Sequence, residues 1–210
     1  MMWLYQNYLL PWALNLLMSQ EEMARLRQRV VPAARGRVLE VGIGRGLNLP
    51  YYGAGVDAVV GVDPMADRLR MASEAAAGAA FPVELLDLSA EALPFEDEGF
   101  DSVVMTWTLC SIVDAPRALA EIRRVLKPSG ELIFLEHGLA PEASVDAWQH
   151  RLNPLWRRCV GGCNLDRPTE TLIRGAGFAF SRLETGYLMP GPRPLTYHYE
   201  GRAAPCVRPR

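Results

Sequence analysis

Short β-rich runs alternate with helical patterns along the first two thirds of this chain, and that alternation limits the folds open to it. Arg37-Val38-Leu39-Glu40-Val41, Val56 to Asp63, Phe100 to Met105 and Glu131 to Glu136 are largely apolar stretches, the pattern of buried strands. Between them Pro64 to Ala77 reads as a helix, and Ala115 to Val125 places Ala118, Leu119, Ile122 and Val125 on one face. A turn, Lys127-Pro128-Ser129-Gly130, precedes the fourth run. Strands separated by helices need right-handed crossovers, which gives a doubly wound, mostly parallel sheet of the α/β class. In such sheets ligands sit beyond the carboxyl ends of the strands. Residues just after each strand are therefore the functional candidates.

The flanking segments fit around that core. Residues 20 to 34 read as an amphipathic helix ending near Pro32, residues 141 to 176 as further helix and loop, and Phe178 to Leu188 and Leu195 to Ala203 as final strands. Residues 1 to 18 are apolar and aromatic, but Gln6, Asn7, Pro11 and Asn15 interrupt them. They satisfy neither a spanning helix nor a secretion signal. Two readings stay open for them: a lid on the substrate pocket, or a peripheral contact with a membrane interface. A length of 210 residues suits one domain. The formal charge of −2, without a basic run, gives no footprint for nucleic acid and favours a small-molecule partner.

Four cysteines, Cys110, Cys159, Cys163 and Cys206, form no disulfide framework, so free thiols in a reducing, cytoplasmic setting are expected. Cys159 and Cys163 stand close in sequence, but no second pair or histidine cluster adjoins them, and no metal is expected.

The first strand runs into Glu40-Val41-Gly42-Ile43-Gly44-Arg45-Gly46. A dinucleotide fingerprint needs glycine where Leu47 stands, and no phosphate-binding lysine follows. Glu40 would repel a pyrophosphate, yet it suits a ligand bearing an ammonium and a sulfonium, as S-adenosylmethionine does. Gly42, Gly44 and Gly46 let the backbone approach such a ligand closely. Asp63 ends the next strand near the offset at which an acid meets ribose hydroxyls. Met65 could pack on an adenine ring or serve as a core methionine.

Leu88-Ser89-Ala90-Glu91-Ala92-Leu93-Pro94-Phe95 resembles the adenine-contacting segment of small-molecule methyltransferases, with Ser89 in place of its usual acid. Ala90 could offer its amide to the ring, and Ser89 or Glu91 could accept from the exocyclic amine. Taken in order, residues 36 to 140 resemble the class I S-adenosylmethionine-dependent methyltransferase core. That resemblance implies a Rossmann-like sheet of seven strands, and residues 1 to 35 are expected to precede it as an N-terminal helical lid or interfacial segment. The resemblance also implies substrate-side elements over residues 141 to 210. Asn48, Pro64 and Thr106 complete the expected cofactor contacts.

A narrower set comprises Thr106-Trp107-Thr108-Leu109-Cys110-Ser111, Glu136-His137, Trp148-Gln149, Pro154, Trp156, Gly162 to Arg167 and Tyr197 to Gly201. It is similar to the thiol methyltransferases named methyltransferase-like seven. The resemblance implies a small, lipophilic acceptor, an alkyl thiol first. The alternatives are an N- or O-methyltransferase of a lipid headgroup, quinone or natural product, and a non-catalytic cofactor-binding module. A thiol acceptor reacts best as thiolate. His137, just after a strand, is the candidate base; the competing role is a hydrogen bond to the substrate helix. Cys110 lacks the preceding proline of the cytosine methyltransferases and reads as a buried small residue. Leu109, Trp148, Trp156 and Asn164 are the candidate acceptor-pocket residues.

Overall fold

A computed structural model describes residues 21–206. The lid or interfacial segment expected for residues 1 to 18 lies outside them. Among the described residues no helix is long and apolar enough to cross a membrane.

Helix α1 spans Glu21–Val30, and Pro32 ends it in a single tight helical turn, Val31–Ala33. Strand β1 (Gly36–Val41) leads through the glycine loop to β2 (Val56–Val62), α2 (Ala66–Ala77) and β3 (Val83–Leu86). Then come β4 (Phe100–Thr106), α3 (Ala115–Val125), β5 (Leu126–His137), α4 (Ala143–Cys159) and α5 (Thr169–Gly175). Strand β6 (Phe178–Tyr187), a helical turn α6 (Arg193–Thr196) and β7 (Tyr197–Pro205) complete the order. The sheet has seven strands in the order β3-β2-β1-β4-β5-β7-β6. Strands β1 to β5 are mutually parallel, and β7 inserts antiparallel between β5 and β6.

Two apolar layers hold this sheet, and alternate residues of each strand feed opposite layers. Leu39, Val103 and Phe134 face the layer built with Leu119 and Ile122 of α3. Val38, Val104 and Leu135 face the layer built with Leu26 and Val30 of α1 and Leu69 of α2. Both faces are covered, which is why the parallel strands read as continuous apolar runs. Helix α3 starts where the Asp114 carboxylate accepts from the Arg117 amide at 3.1 Å, the usual acidic N-cap. Helix α1 is tied to the sheet by an ion pair from Arg29 to the buried Glu200 of β7.

Three differences from expectation have a clear physical reason. Strand β5 begins at Leu126, not Glu131, and Lys127 to Gly130 form a bulge within it, since the pairing Phe100↔Leu126 is followed by Ser102↔Glu131. Strand β3 is absent from the apolar runs picked out above because it is a short, half-exposed edge. The last strand begins at Tyr197 because Leu195 lies in the preceding helical turn.

Candidate active site

The carboxyl ends of β1, β2, β4 and β5 converge on one edge, and the glycine loop lies across it. Gly42, Gly44 and Gly46 all have positive φ, 72°, 57° and 76°. The first two do different work. A Cβ on Gly42 would lie 2.3 Å from Thr108 Oγ1, whereas one on Gly44 would meet only the Gly42 carbonyl, at 3.8 Å. Gly42 thus packs the loop onto the turn after β4, and Gly44 keeps its outer surface open. Gly42→Ala should lower stability by roughly 3 to 5 kcal/mol through overlap and backbone strain. Gly44→Ala should cost about 1 kcal/mol, yet weaken cofactor binding at least about ten-fold by placing a methyl group against the ligand, since a tenfold loss is only 1.4 kcal/mol. Urea titration and calorimetry of the two variants check this; equal losses of stability would refute the division of labour.

Behind the loop lies a buried polar triangle. Asn48 Nδ2 donates to Glu40 Oε1 at 2.9 Å and to Thr106 Oγ1 at 3.0 Å, and Tyr52 donates its hydroxyl to Glu40 Oε2 at 2.8 Å. Burial pushes the Glu40 carboxyl up to about 7, against the pull of Tyr52, Asn48 and Arg27. Asn48 Oδ1 is buried with no hydrogen-bond partner among the described residues. An unmet acceptor, an open glycine cradle and a buried carboxyl that a cationic ligand would ionise all suit S-adenosylmethionine. Asp63, 2 % exposed, accepts from the amides of Gly44 (3.2 Å) and Met65 (3.0 Å), with Arg68 3.7 Å away. Burial raises its carboxyl, and Arg68 and the two amides oppose that rise. The acid at the end of β2 therefore also fixes the loop.

Pro64 occupies the turn after Asp63, and Met65 is 43 % exposed, so its thioether is available to a ring. Ser89 is exposed and accepts from the Glu91 amide at 3.2 Å; Ala90 is buried. Glu91 Oε1 accepts from the Asp114 amide at 2.9 Å, which commits that oxygen to the start of α3.

On the acceptor side, Glu136 is wholly buried and accepts from the Thr108 amide at 2.8 Å. Burial raises its carboxyl to about 7, and the amides of Thr108, Leu109 and Cys110 oppose the rise. Trp107, in the same turn, adopts φ 49°, a left-handed conformation that is rare for a bulky residue and typical of constrained sites. Arg27 stacks on its ring at 5.0 Å. His137 ends β5, and its Nε2 lies 2.8 Å from Cys163 Sγ, which is 3.5 Å from Cys110 Sγ. Burial lowers the His137 pKa, but Cys110 and Glu136 more than offset this and leave it raised. Contact with Cys110 lowers the Cys163 thiol and raises that of Cys110. His198 packs edge-on against His137, ring centroids 6.4 Å apart, and burial depresses it to about 4, so it stays neutral.

The expected acceptor residues take separate places. Leu109 is wholly buried in the core, not on a pocket wall, because the turn after β4 folds it inward. Trp148 is 55 % exposed on α4, with Arg151 over its ring. Asn164 Nδ2 donates to the Cys110 carbonyl at 2.7 Å, so it clamps two loops together. Trp156 is half-buried, and its indole N–H is buried with no hydrogen-bond partner among the described residues. Tyr52, Glu136 and Cys163 were missed as site residues. Glu136-His137 and Gly162 to Arg167 stood in the narrower motif set, but nothing in sequence marked Tyr52 as the partner of Glu40.

A family profile described as "Methyltransferase domain" matches residues 39–134. The chain is 33% identical over 151 residues to thiol S-methyltransferase TMT1B of Rattus norvegicus, covering 70% of this chain and 62% of the relative's length. It is 31% identical over 171 residues to thiol S-methyltransferase TMT1A of Homo sapiens, covering 79% of this chain and 69% of that protein. The chain thus spans less than two thirds of the rat relative's length. Among solved structures, an S-adenosylmethionine-dependent methyltransferase from Methanosarcina mazei superposes with a TM-score of 0.66 at 22% identity, covering 82% of this chain and 93% of that one.

Proposed function

The chain belongs to the class I S-adenosylmethionine-dependent methyltransferases, on the branch of the thiol S-methyltransferases, and from that premise we propose that it methylates a small, lipophilic thiol. The observation that carries this reading is the position of His137. It ends β5 at the sheet edge shared with the glycine loop, and Glu136 beside it holds the Thr108 turn that packs on Gly42. An acceptor lying against that turn would face the cofactor from the β4 and β5 side.

Methyl transfer from a sulfonium already has a good leaving group, so the protein's task is alignment and exclusion of water. When bound, S-adenosylmethionine supplies the electrophilic methyl group. Glu40 and Asp63 would hold the cofactor, Gly44 would admit it, and Thr106 and Asn48 would line its methionine end. Pro64 and Met65 would border its ribose and adenine, with the Ala90 amide and Ser89 as the partners for the ring. His137 acts on the acceptor's proton. Its Nε2 is turned toward Cys163, so it works within that cluster and not as a free base.

Incubation with labelled cofactor and matched panels of alkyl thiols, amines and phenols tests the acceptor class. Label should appear on thiols; label confined to amines or phenols would replace the thiol reading, and tight cofactor binding with no transfer would favour a binding module. His137→Ala should lower turnover about 10²- to 10⁴-fold, the usual range for loss of acid–base help, with cofactor affinity unchanged by calorimetry. An equal fall in affinity would move His137 to the cofactor site.

A further inference from the structure

Cys110, His137 and Cys163 come from three separate parts of the fold: the turn after β4, the end of β5 and the loop after α4. Their donor atoms all lie within 4.8 Å of one another. Both cysteines are buried and unpaired by disulfide. The backbone holds the donors together independently of the sulfurs. The Asn164 amide donates to the Cys110 carbonyl at 2.9 Å, and Arg167 donates to the carbonyls of Cys110 (3.2 Å) and Ile112 (2.7 Å). The linear spacing of Cys159 and Cys163 gave no ligand set, but folding supplies Cys163 with two partners from elsewhere in the chain.

Two thiols and one imidazole form a donor set for a thiophilic ion, and three protein ligands with one open position is the arrangement of a reactive zinc site. With Zn–S of about 2.3 Å and Zn–N of about 2.0 Å, tetrahedral geometry needs a sulfur–sulfur edge of about 3.8 Å and a nitrogen–sulfur edge of about 3.5 Å. The sulfur–sulfur edge is 3.5 Å and the His137–Cys163 edge 2.8 Å, with the third pair of donors within 4.8 Å, so the two short edges need to open by less than an ångström. Two thiolates and one divalent ion sum to zero charge, which removes the main penalty for burying the ion.

We propose that Cys110, His137 and Cys163 bind a zinc ion whose fourth position receives the acceptor thiol. The second half of this statement rests on the thiol-methyltransferase reading above; the first does not. Metal binding displaces the two cysteine protons to solvent. With zinc bound, His137 holds the metal in place of taking the acceptor's proton, and an incoming thiol loses its own proton to solvent and binds as thiolate. Its sulfur forms a bond to the methyl carbon as the carbon–sulfonium bond breaks, and that electron pair stays on the departing cofactor sulfur. The product is a neutral thioether, a weaker ligand than thiolate, and it leaves the metal.

The test uses the full chain, reduced, stripped with chelator and reloaded. Zinc should bind one per chain and protect Cys110 and Cys163 from alkylation while Cys159 and Cys206 still react. This readout needs no variant. Cobalt(II) in place of zinc should show thiolate-to-metal charge transfer and four-coordinate visible bands, both lost in Cys163→Ser. A chain that stays metal-free in excess zinc, or whose Cys110 and Cys163 alkylate equally with and without zinc, overturns the site. Adding an alkyl thiol should shift the cobalt bands; an unchanged spectrum overturns the open acceptor position. Zinc bound in full without methylation of any thiol overturns the acceptor reading and leaves the metal site standing.

Discussion

Asp63→Ala should weaken S-adenosylmethionine binding about 100-fold or more and also lower the stability of the free protein. The carboxylate accepts two backbone amides, those of Gly44 and Met65. Removing it leaves two donors without partners in a site where Asp63 is 2 % exposed. Each such donor costs about 1–3 kcal/mol, so a loss of about 2–6 kcal/mol in the free chain is expected before any ligand contact is counted. Loss of hydrogen bonds to the ribose hydroxyls, charge-assisted and each worth about 1.5–3 kcal/mol, then adds to the affinity defect. Asp63→Asn separates the two effects, because the amide oxygen can still accept from one backbone N–H. It should recover part of the stability and little of the affinity. Calorimetry showing wild-type affinity in the alanine variant would refute the ribose assignment.

The second large effect is a pH dependence of cofactor affinity set by Glu40. Its carboxyl is held at about 7 by burial, above the 4.5 of a free glutamate. A ligand of net positive charge favours the ionised form, so binding expels a proton when the pH is below 7. Affinity should therefore rise about ten- to a hundred-fold from pH 5 to pH 7 and level off above, by proton linkage. Stability of the free protein runs the other way. A folded pKa above the unfolded one means that Glu40 stabilises fully below pH 4.5, and this is lost as the pH rises through 7. The loss is roughly 3 kcal/mol. Glu136, also raised to about 7, contributes in the same direction. Glu40→Gln should flatten the affinity profile and leave the Glu136 part of the stability profile. Asn48 can turn its unmet Oδ1 to the new amide, so this variant should fold. An affinity that still climbs with pH in the variant would refute the assignment to Glu40.

Much of the fold was legible because its strands are covered on both faces. Val38 to Val41 and Val103 to Met105 read as strands for that reason, and α3 matched residue for residue because its apolar face is unbroken. Strand β3 escaped because an edge strand needs only half such a pattern. On the cofactor side, glycines and acids directly after strands are visible as letters. The acceptor side was less legible. Leu109 and Asn164 are visible as letters, but a letter does not say which way a turn directs a side chain. Tyr52 reaches Glu40 from a loop, and Cys110 and Cys163 meet across 53 residues of chain. No periodicity reports contacts of that kind.

The bulge at Lys127 to Gly130 has a consequence for how the chain tolerates changes in length. Pairing of β5 with β4 resumes at Ser102↔Glu131 and stays regular to Thr106↔Leu135. A residue gained or lost within the bulge is absorbed there, as slack. One gained or lost between Leu132 and Leu135 would exchange the faces of Glu136 and His137. It would turn the carboxylate toward the thiols and the imidazole toward the Thr108 amide. The bulge thus insulates the register of the reactive edge from a change of length in the chain that feeds it.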